Sequence, residues 1–325
     1  MKCTNKCIIS LLLTAVLLLS GCAYNNLELP YKPDSNISSF RLVNFEKAKE
    51  TTGSFASGLC VTDKDISVSD INLPSDLAGA LFDINGCNTI YAHNIHEQFY
   101  PASLTKILTA IVALKNGSSD MILTASSSVK LSDPTAQVIG LKPGDTMTLD
   151  QALHILLIYS ANDVAVLIAE GIGGSIENFT QMMNEQALLI GATNSNFTNP
   201  HGLSDENHYT TPYDMYLIMN EAIQFESFKE IINCPEYQTV YYDAAGNEKE
   251  VDIKSTNAYL TLSEDSPNGV TVIGGKTGTT NAAGHCLVLL SKDNKSNDYI
   301  SIIMKSDSKD NMYKYMTTLL KQIGN

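Results

Sequence analysis

The sequence predicts an α+β domain whose antiparallel sheet takes strands from both chain ends and flanks an all-helical block. Three observations carry this. Short strand-like runs bounded by turn residues occupy positions 78–92 and return between 238 and 305. Consecutive segments with helical periodicity and cap signals fill the interval between them. Finally, 325 residues that are 44% hydrophobic and 17% charged can build a packed core, which excludes a multi-span membrane protein or a disordered chain.

Taken in order, Lys2 and Lys6 precede an apolar run over 8–19. A membrane-spanning helix needs roughly 20 apolar residues, so this run reads as a signal-peptide core. It ends in Leu19-Ser20-Gly21-Cys22, which resembles the lipobox of bacterial lipoproteins. That resemblance implies cleavage after residue 21, lipid on the Cys22 thiol, and an exported protein tethered to the outer face of the cytoplasmic membrane. Losing two lysines and no acid takes the formal net charge from −14 to −16. Residues 22–57 are polar, lack sustained periodicity and read as a flexible linker, with a folded domain over 58–325. Cys60, Cys87, Cys234 and Cys286 remain in that domain, either as disulfides or as free thiols.

Within the domain, 59–61 is a possible edge strand, and runs at 78–83 and 89–92 flank the hairpin signal Asn85-Gly86. Residues 103–114 are apolar on nearly every face and end at Asn116-Gly117, which predicts a buried helix. Thr148 with Gln151 forms a capping-box pattern opening a helix to about 159. Helices over 163–172 and 175–190 are separated by Gly173-Gly174, and one more follows Tyr213. A hairpin around Gly246, strands at 270–278, 285–291 and 299–305, and a helix over 311–322 complete the domain.

Three short motifs carry chemistry. Ser103 and Lys106 lie three apart at the start of the buried helix, one turn apart on one face. A serine hydroxyl becomes a nucleophile when a base takes its proton, and a lysine serves only if burial or a neighbouring cation keeps it neutral. The spacing alone is cheap, because Ser127–Lys130 and Ser306–Lys309 share it without preceding a long apolar helix. Ser160-Ala161-Asn162 falls between two helices, where side chains can project into a cleft, although Ser255-Thr256-Asn257 and Ser266-Pro267-Asn268 match it too. Lys276-Thr277-Gly278 occurs once, after Gly274-Gly275 on a strand, where small residues admit a ligand close to the backbone.

In this order the motifs resemble those of the serine penicillin-recognising enzymes. Three longer stretches narrow the likeness to the low-molecular-mass D-alanyl-D-alanine carboxypeptidases: Tyr100-Pro101-Ala102-Ser103-Leu104-Thr105-Lys106, Asn199-Pro200-His201-Gly202-Leu203 and Lys276-Thr277-Gly278-Thr279-Thr280. His208-Tyr209-Thr210-Thr211-Pro212-Tyr213-Asp214 extends it, and the likeness covers roughly 74–322. It implies a serine β-lactamase/D,D-peptidase-like fold with no cofactor. Ser103 would attack the bond between the terminal D-alanines of a peptidoglycan stem peptide, and Lys106 would take its proton. Ser160 would relay a proton to the leaving D-alanine, while Asn162 orients Lys106 and the substrate amide. Lys276 and Thr277, with Gly278 and Thr279 beside them, would bind the terminal carboxylate. Backbone N–H groups of Ser103 and Thr279 would form an oxyanion hole, worth about 3–4 kcal/mol per donor. Penicillins would acylate Ser103 as mimics of the D-Ala-D-Ala bond.

Two departures are expected: no β-rich domain after the catalytic one, and Thr256 where some members carry an arginine near the carboxylate site. Rival readings are weaker on the residues. A class A β-lactamase needs a Glu-x-x-Leu-Asn loop, which does not occur between Asn162 and Lys276. A zinc peptidase built on His201, Asp205, His208 and His285 lacks a common ligand spacing. A non-catalytic penicillin-binding sensor lipoprotein predicts a lost catalytic residue, and none is lost. With 35 acidic against 21 basic residues and Arg41 the single arginine, nucleic-acid binding is excluded.

Overall fold

Strand-forming segments from both ends of the domain meet in one five-stranded antiparallel sheet in the computed structural model, which describes Ala56 and residues 58–324. The signal segment, Cys22 and, apart from Ala56, the linker lie outside the described residues. The strands are β1 (Ala78–Asp83), β2 (Asn88–His93), β3 (Ile122–Thr124), β4 (Thr146–Thr148), β5 (Glu236–Tyr242), β6 (Glu248–Lys254), β7 (Val270–Thr280), β8 (Gly284–Asp293) and β9 (Asp298–Ser306). The helices are α1 (Thr105–Asn116), α2 (Leu149–His154), α3 (Asn162–Gly173), α4 (Ile176–Leu189), α5 (Pro212–Ala222), α6 (Glu226–Ile232) and α7 (Lys309–Leu320).

The large sheet runs β2-β1-β9-β8-β7, so the expected α+β architecture holds and the early β1 pairs directly with the late β9. Both faces of β8 are buried, as its continuous apolar run requires. Cys286, Val288 and Leu290 enter the core shared with the helices, while Leu287 and Leu289 enter a second core beneath α7. Met312, Tyr313, Met316, Leu319 and Leu320 of α7 close that second core. A smaller sheet, β3-β4-β5-β6, attaches to the helical block. Its three-residue strands β3 and β4 are too short to give a period in the sequence.

The helical block follows its cap signals. Thr148 Oγ1 accepts from Gln151 N–H while the Gln151 side chain accepts from Thr148 N–H, the reciprocal capping box. Thr211 caps α5 with Pro212 in its first turn, and Ser308 caps α7 two residues earlier than expected. A second short helix, α6, follows α5 where a single helix is expected. Its seven residues carry too little periodicity to register.

Two expectations are corrected. Residues 59–61 form no strand, because Cys60 N–H donates to the Tyr216 hydroxyl and its thiol to Asp83 O instead of a sheet ladder. The buried helix does not begin at Ser103 but two residues later, behind a 3₁₀ turn over Ala102–Leu104. The hairpin signal at Asn85-Gly86 is borne out, with β1 antiparallel to β2 across a short connection. That connection spans residues 84–87, with Cys87 at φ 49° and Gly86 N–H donating to Asp83 Oδ1. All four cysteines are free thiols, with Cys60 and Cys286 buried.

Met316 is fully buried where α7 meets the sheet. Replacing it with alanine is expected to lower unfolding stability by about 2–5 kcal/mol in urea titrations, with an unchanged m-value.

Candidate active site

Helix α1 runs through the middle of the domain, and every residue from Thr105 to Ala113 is buried. One face of it carries hydroxyl and amine groups in an otherwise apolar helix, so those groups must find partners. The segment 199–203 supplies them from its backbone. Thr109 Oγ1 donates to Pro200 O at 2.7 Å, Lys106 Nζ to His201 O at 2.7 Å, and Gly202 abuts the Ala102 carbonyl. A Cβ on Gly202 would lie 1.8 Å from Ala102 O, and its φ of 90° is in the left-handed region. Only glycine fits this contact.

Ser103 sits on the turn just before α1. Pro101 is helical at φ −74°, but Ala102 is at φ 48°, which a non-glycine residue rarely adopts. The resulting 3₁₀ turn brings positions three apart nearly into register, so Ser103 and Lys106 share a face. Lys106 Nζ lies 2.8 Å from Ser103 Oγ and donates to Asn162 Oδ1 at 2.6 Å. Lys106 is fully buried, and burial, reinforced by the Lys276 cation, holds its pKa well below the ordinary lysine value, against an opposing pull from Asp163.

The depressed pKa favours the neutral amine over the ammonium, whose three N–H groups would go to Ser103 Oγ, Asn162 Oδ1 and the His201 carbonyl. A neutral amine has two N–H bonds and one lone pair. Asn162 Oδ1 and the His201 carbonyl can only accept, so they take both N–H groups. The lone pair is then left facing Ser103, whose hydroxyl must donate to it. The arrangement is that of a base already aimed at a nucleophile.

Ser160 and Asn162 arrive from a tight reversal in the helical block. Helix α2 loosens into a π turn over Ile155–Tyr159, a form often found at functional sites, and Ser160 ends it at φ 71°. The reversal is braced by the loop before it. Gln137 Nε2 donates to Tyr159 O, Asn162 N–H donates to Gln137 O, and Asp163 accepts from the N–H groups of Ile139, Gly140, Leu141 and Val164. The competing Ser-x-Asn matches separate from it here: Ser266 and Asn268 are exposed, and Asn257 is buried on a different loop. Of the competing Ser-x-x-Lys matches, Ser127 and Lys130 are both exposed, and Lys309 is exposed although Ser306 is buried.

The third side of the site is β7. Gly278 packs directly against the Ser103 turn, where a Cβ would lie 3.0 Å from Ser103 N and 3.1 Å from Pro101 O. Lys276 is buried, donates to Thr277 O at 2.9 Å, and burial brings its pKa down to about 7. Thr277 Oγ1 lies 2.6 Å from Thr256 Oγ1, so the threonine that replaces an expected arginine is tied to this strand. Ser103, Ser160, Asn162, Thr277, Gly278 and Thr279 all line one cleft of about 670 Å³, with Lys106 and Lys276 buried behind it.

Sequence reasoning did not single out the His201 carbonyl, because a backbone acceptor leaves no residue-type signal beyond the Asn-Pro-His-Gly segment itself. The His201 imidazole lines the cleft, and burial, with the Lys106 and His208 charges adding, pushes its pKa down to about 3 against Asp133. His208 is buried behind the cleft, so it does not join His201 on one exposed face.

Lys276 gives a stability test with a definite sign. Its pKa falls from 10.5 to about 7 on folding, so the unfolded chain holds the extra proton between those values. Its burial therefore costs most below about pH 7, and the cost vanishes as pH rises toward 10.5. Lys276→Met is expected to be more stable than wild type below about pH 7, by up to about 5 kcal/mol. The difference should shrink in denaturant titrations at higher pH; a pH-independent difference would show that Lys276 titrates normally.

Comparison with known proteins agrees with this architecture. The S11 peptidase family profile, described as D-alanyl-D-alanine carboxypeptidase, matches residues 69–308. D-alanyl-D-alanine carboxypeptidase DacF of Bacillus subtilis is 34% identical over 210 residues, covering 62% of this chain and 50% of that protein. DacA of Haemophilus influenzae is 32% identical over 230 residues, covering 69% and 55%. The chain thus spans about half the length of the curated relatives it matches. The Streptomyces K15 DD-transpeptidase shares the fold, with a TM-score of 0.71 at 24% identity over 77% of this chain and 97% of that one. With the profile matching well over half of its residues, the chain belongs to the D-alanyl-D-alanine carboxypeptidase family of S11 peptidases.

Proposed function

We propose that the protein is a serine D,D-carboxypeptidase that removes the terminal D-alanine from peptidoglycan stem pentapeptides. The observation that carries this reading is the buried Lys106 Nζ, within hydrogen-bond distance of Ser103 Oγ, Asn162 Oδ1 and His201 O at once. Ser103 Oγ attacks the carbonyl carbon of the penultimate D-alanine while its proton passes to Lys106 Nζ. The C–N bond then breaks, and the leaving amine takes a proton through Ser160. Asn162 holds Lys106 and the substrate amide, and Lys276, Thr277, Gly278 and Thr279 receive the terminal carboxylate. The backbone N–H groups of Ser103 and Thr279 stabilise the oxyanion. Water attacks the Ser103 ester, releases the shortened peptide and regenerates the hydroxyl. A β-lactam enters the same cleft and acylates the same oxygen.

The test pairs two readouts on the purified protein and on Ser103→Ala. Wild type is expected to take up fluorescent penicillin covalently and to release D-alanine from a pentapeptide, and the variant is expected to do neither. Labelling without D-alanine release would favour a penicillin sensor, and rapid penicillin turnover would favour a β-lactamase.

The same reading places the enzyme in the cell envelope, with residues 1–21 as a signal, Cys22 as the lipid attachment site and 22–57 as a tether to a catalytic domain over 58–325. The Lys2/Lys6 and Leu19-Ser20-Gly21-Cys22 pattern supports it. Cys22→Ser should lose incorporated fatty acid and move from the membrane to the soluble fraction, with penicillin labelling retained. A variant that stays membrane-bound and acylated would sink the lipid assignment.

A further inference from the structure

The turn bearing Ser103 is held in an unfavourable backbone conformation, and the groups that hold it lead to a histidine outside the cleft. Ala102, at φ 48°, offers its carbonyl to the Thr105 hydroxyl at 2.8 Å. Thr105 Oγ1 in turn lies 2.8 Å from His208 Nε2. Because the Thr105 proton is committed to a carbonyl, His208 must be the donor in this second bond. On its other side, His208 Nδ1 accepts from Thr198 N–H at 3.0 Å, which requires that nitrogen to be unprotonated. The two bonds together fix one neutral tautomer, with the proton on Nε2. Both His208 and Thr105 are buried, and burial pushes the His208 pKa down to about 4, so the imidazole stays neutral at working pH. Phe197 meets the ring edge-on at a centroid distance of 5.5 Å and closes it in.

Thr198 opens the stretch whose His201 carbonyl holds Lys106 and whose Gly202 presses on Ala102. His208 thus touches both halves of the site: the strained turn that aims Ser103, through Thr105, and the segment that aims Lys106, through Thr198. We propose that His208 is a positioning residue for acylation, its Nε2–H locking the Thr105–Ala102 turn that presents Ser103 to Lys106 Nζ. This inference rests on the Ser103 acyl-enzyme proposed above.

The experiment measures penicillin acylation, separated into the dissociation constant of the encounter complex and the acylation rate constant. His208→Asn keeps an acceptor near the Nδ1 position and removes the Nε2–H donor, while Thr105→Val removes the hydroxyl. Each is expected to slow the acylation rate constant on the order of 100-fold, the effect of a small misalignment, with the dissociation constant little changed. The double variant should be no slower than the slower single one, because both changes break one chain of bonds. Thr105→Ser, which retains the hydroxyl, should recover most of the rate. In wild-type protein with nitrogen-labelled histidine, the imidazole spectrum near neutral pH should show His208 protonated on Nε2 alone. A folded His208→Asn with the wild-type acylation rate, multiplying effects in the double variant, or protonation at Nδ1 would each overturn the inference. Should His208→Asn fail to fold, the Thr105 pair and the wild-type spectrum decide it. A wild-type protein that is not acylated at all would instead overturn the acyl-enzyme reading.

Discussion

The site depends on a lysine amine held out of water, where burial and the Lys276 cation disfavour its protonation. Lys106 is enclosed on a helix whose other buried side chains are mostly apolar, and its two fixed partners are carbonyl oxygens. An ammonium there would give up its hydration for partial compensation, and it would face the Lys276 cation as well. The neutral amine loses less, since its two donors match two carbonyl acceptors and its lone pair meets a hydroxyl. The hydrophobic core that encloses α1 is thus what depresses the Lys106 pKa beside Ser103.

Enclosing that amine requires backbones to come unusually close from three directions. Segment 199–203 lies along α1 with Gly202 against Ala102, β7 presses Gly278 against the Ser103 turn, and the π turn at 155–159 swings Ser160 and Asn162 over the same point. Each approach uses a local departure from regular structure: a left-handed glycine, a residue without a side chain, or a left-handed serine at φ 71°. Such departures are unfavourable locally and persist because the surrounding packing over-determines them. The braces are polar and buried, including the Asp163 carboxylate with its four N–H donors and the His208–Thr105 pair. Ser103 is thereby carried on a rigid frame, which is what proton transfer across a single hydrogen bond needs.

Much of this frame was legible in the residues. The apolar run of α1, the Thr148–Gln151 cap, the glycines before Lys276 and the strand periods of β7 to β9 all report local requirements, and the structure places those elements close to their expected bounds. Errors fell where a local signal was absent or was overridden by a distant partner. Cys60 looks like a strand residue but spends its N–H on Tyr216, 156 positions away. Strands β3 and β4 are three residues each and show no period.

By itself the sequence determined the α+β class, the strands drawn from both chain ends, and the three short motifs that bear hydroxyl, amine and amide groups. These follow from side-chain type and spacing, which act over a few residues. Only the tertiary structure brought the three motifs together around one cleft. It left Ser127, Lys130, Ser266 and Asn268 exposed, and buried Asn257 on a different loop. It also supplied the His201 carbonyl and the His208–Thr105 link. Those contacts join residues about a hundred positions apart, and they exist because burial demands a partner for every polar group. No local pattern encodes that demand; it arises when the chain has closed around the groups that must satisfy it.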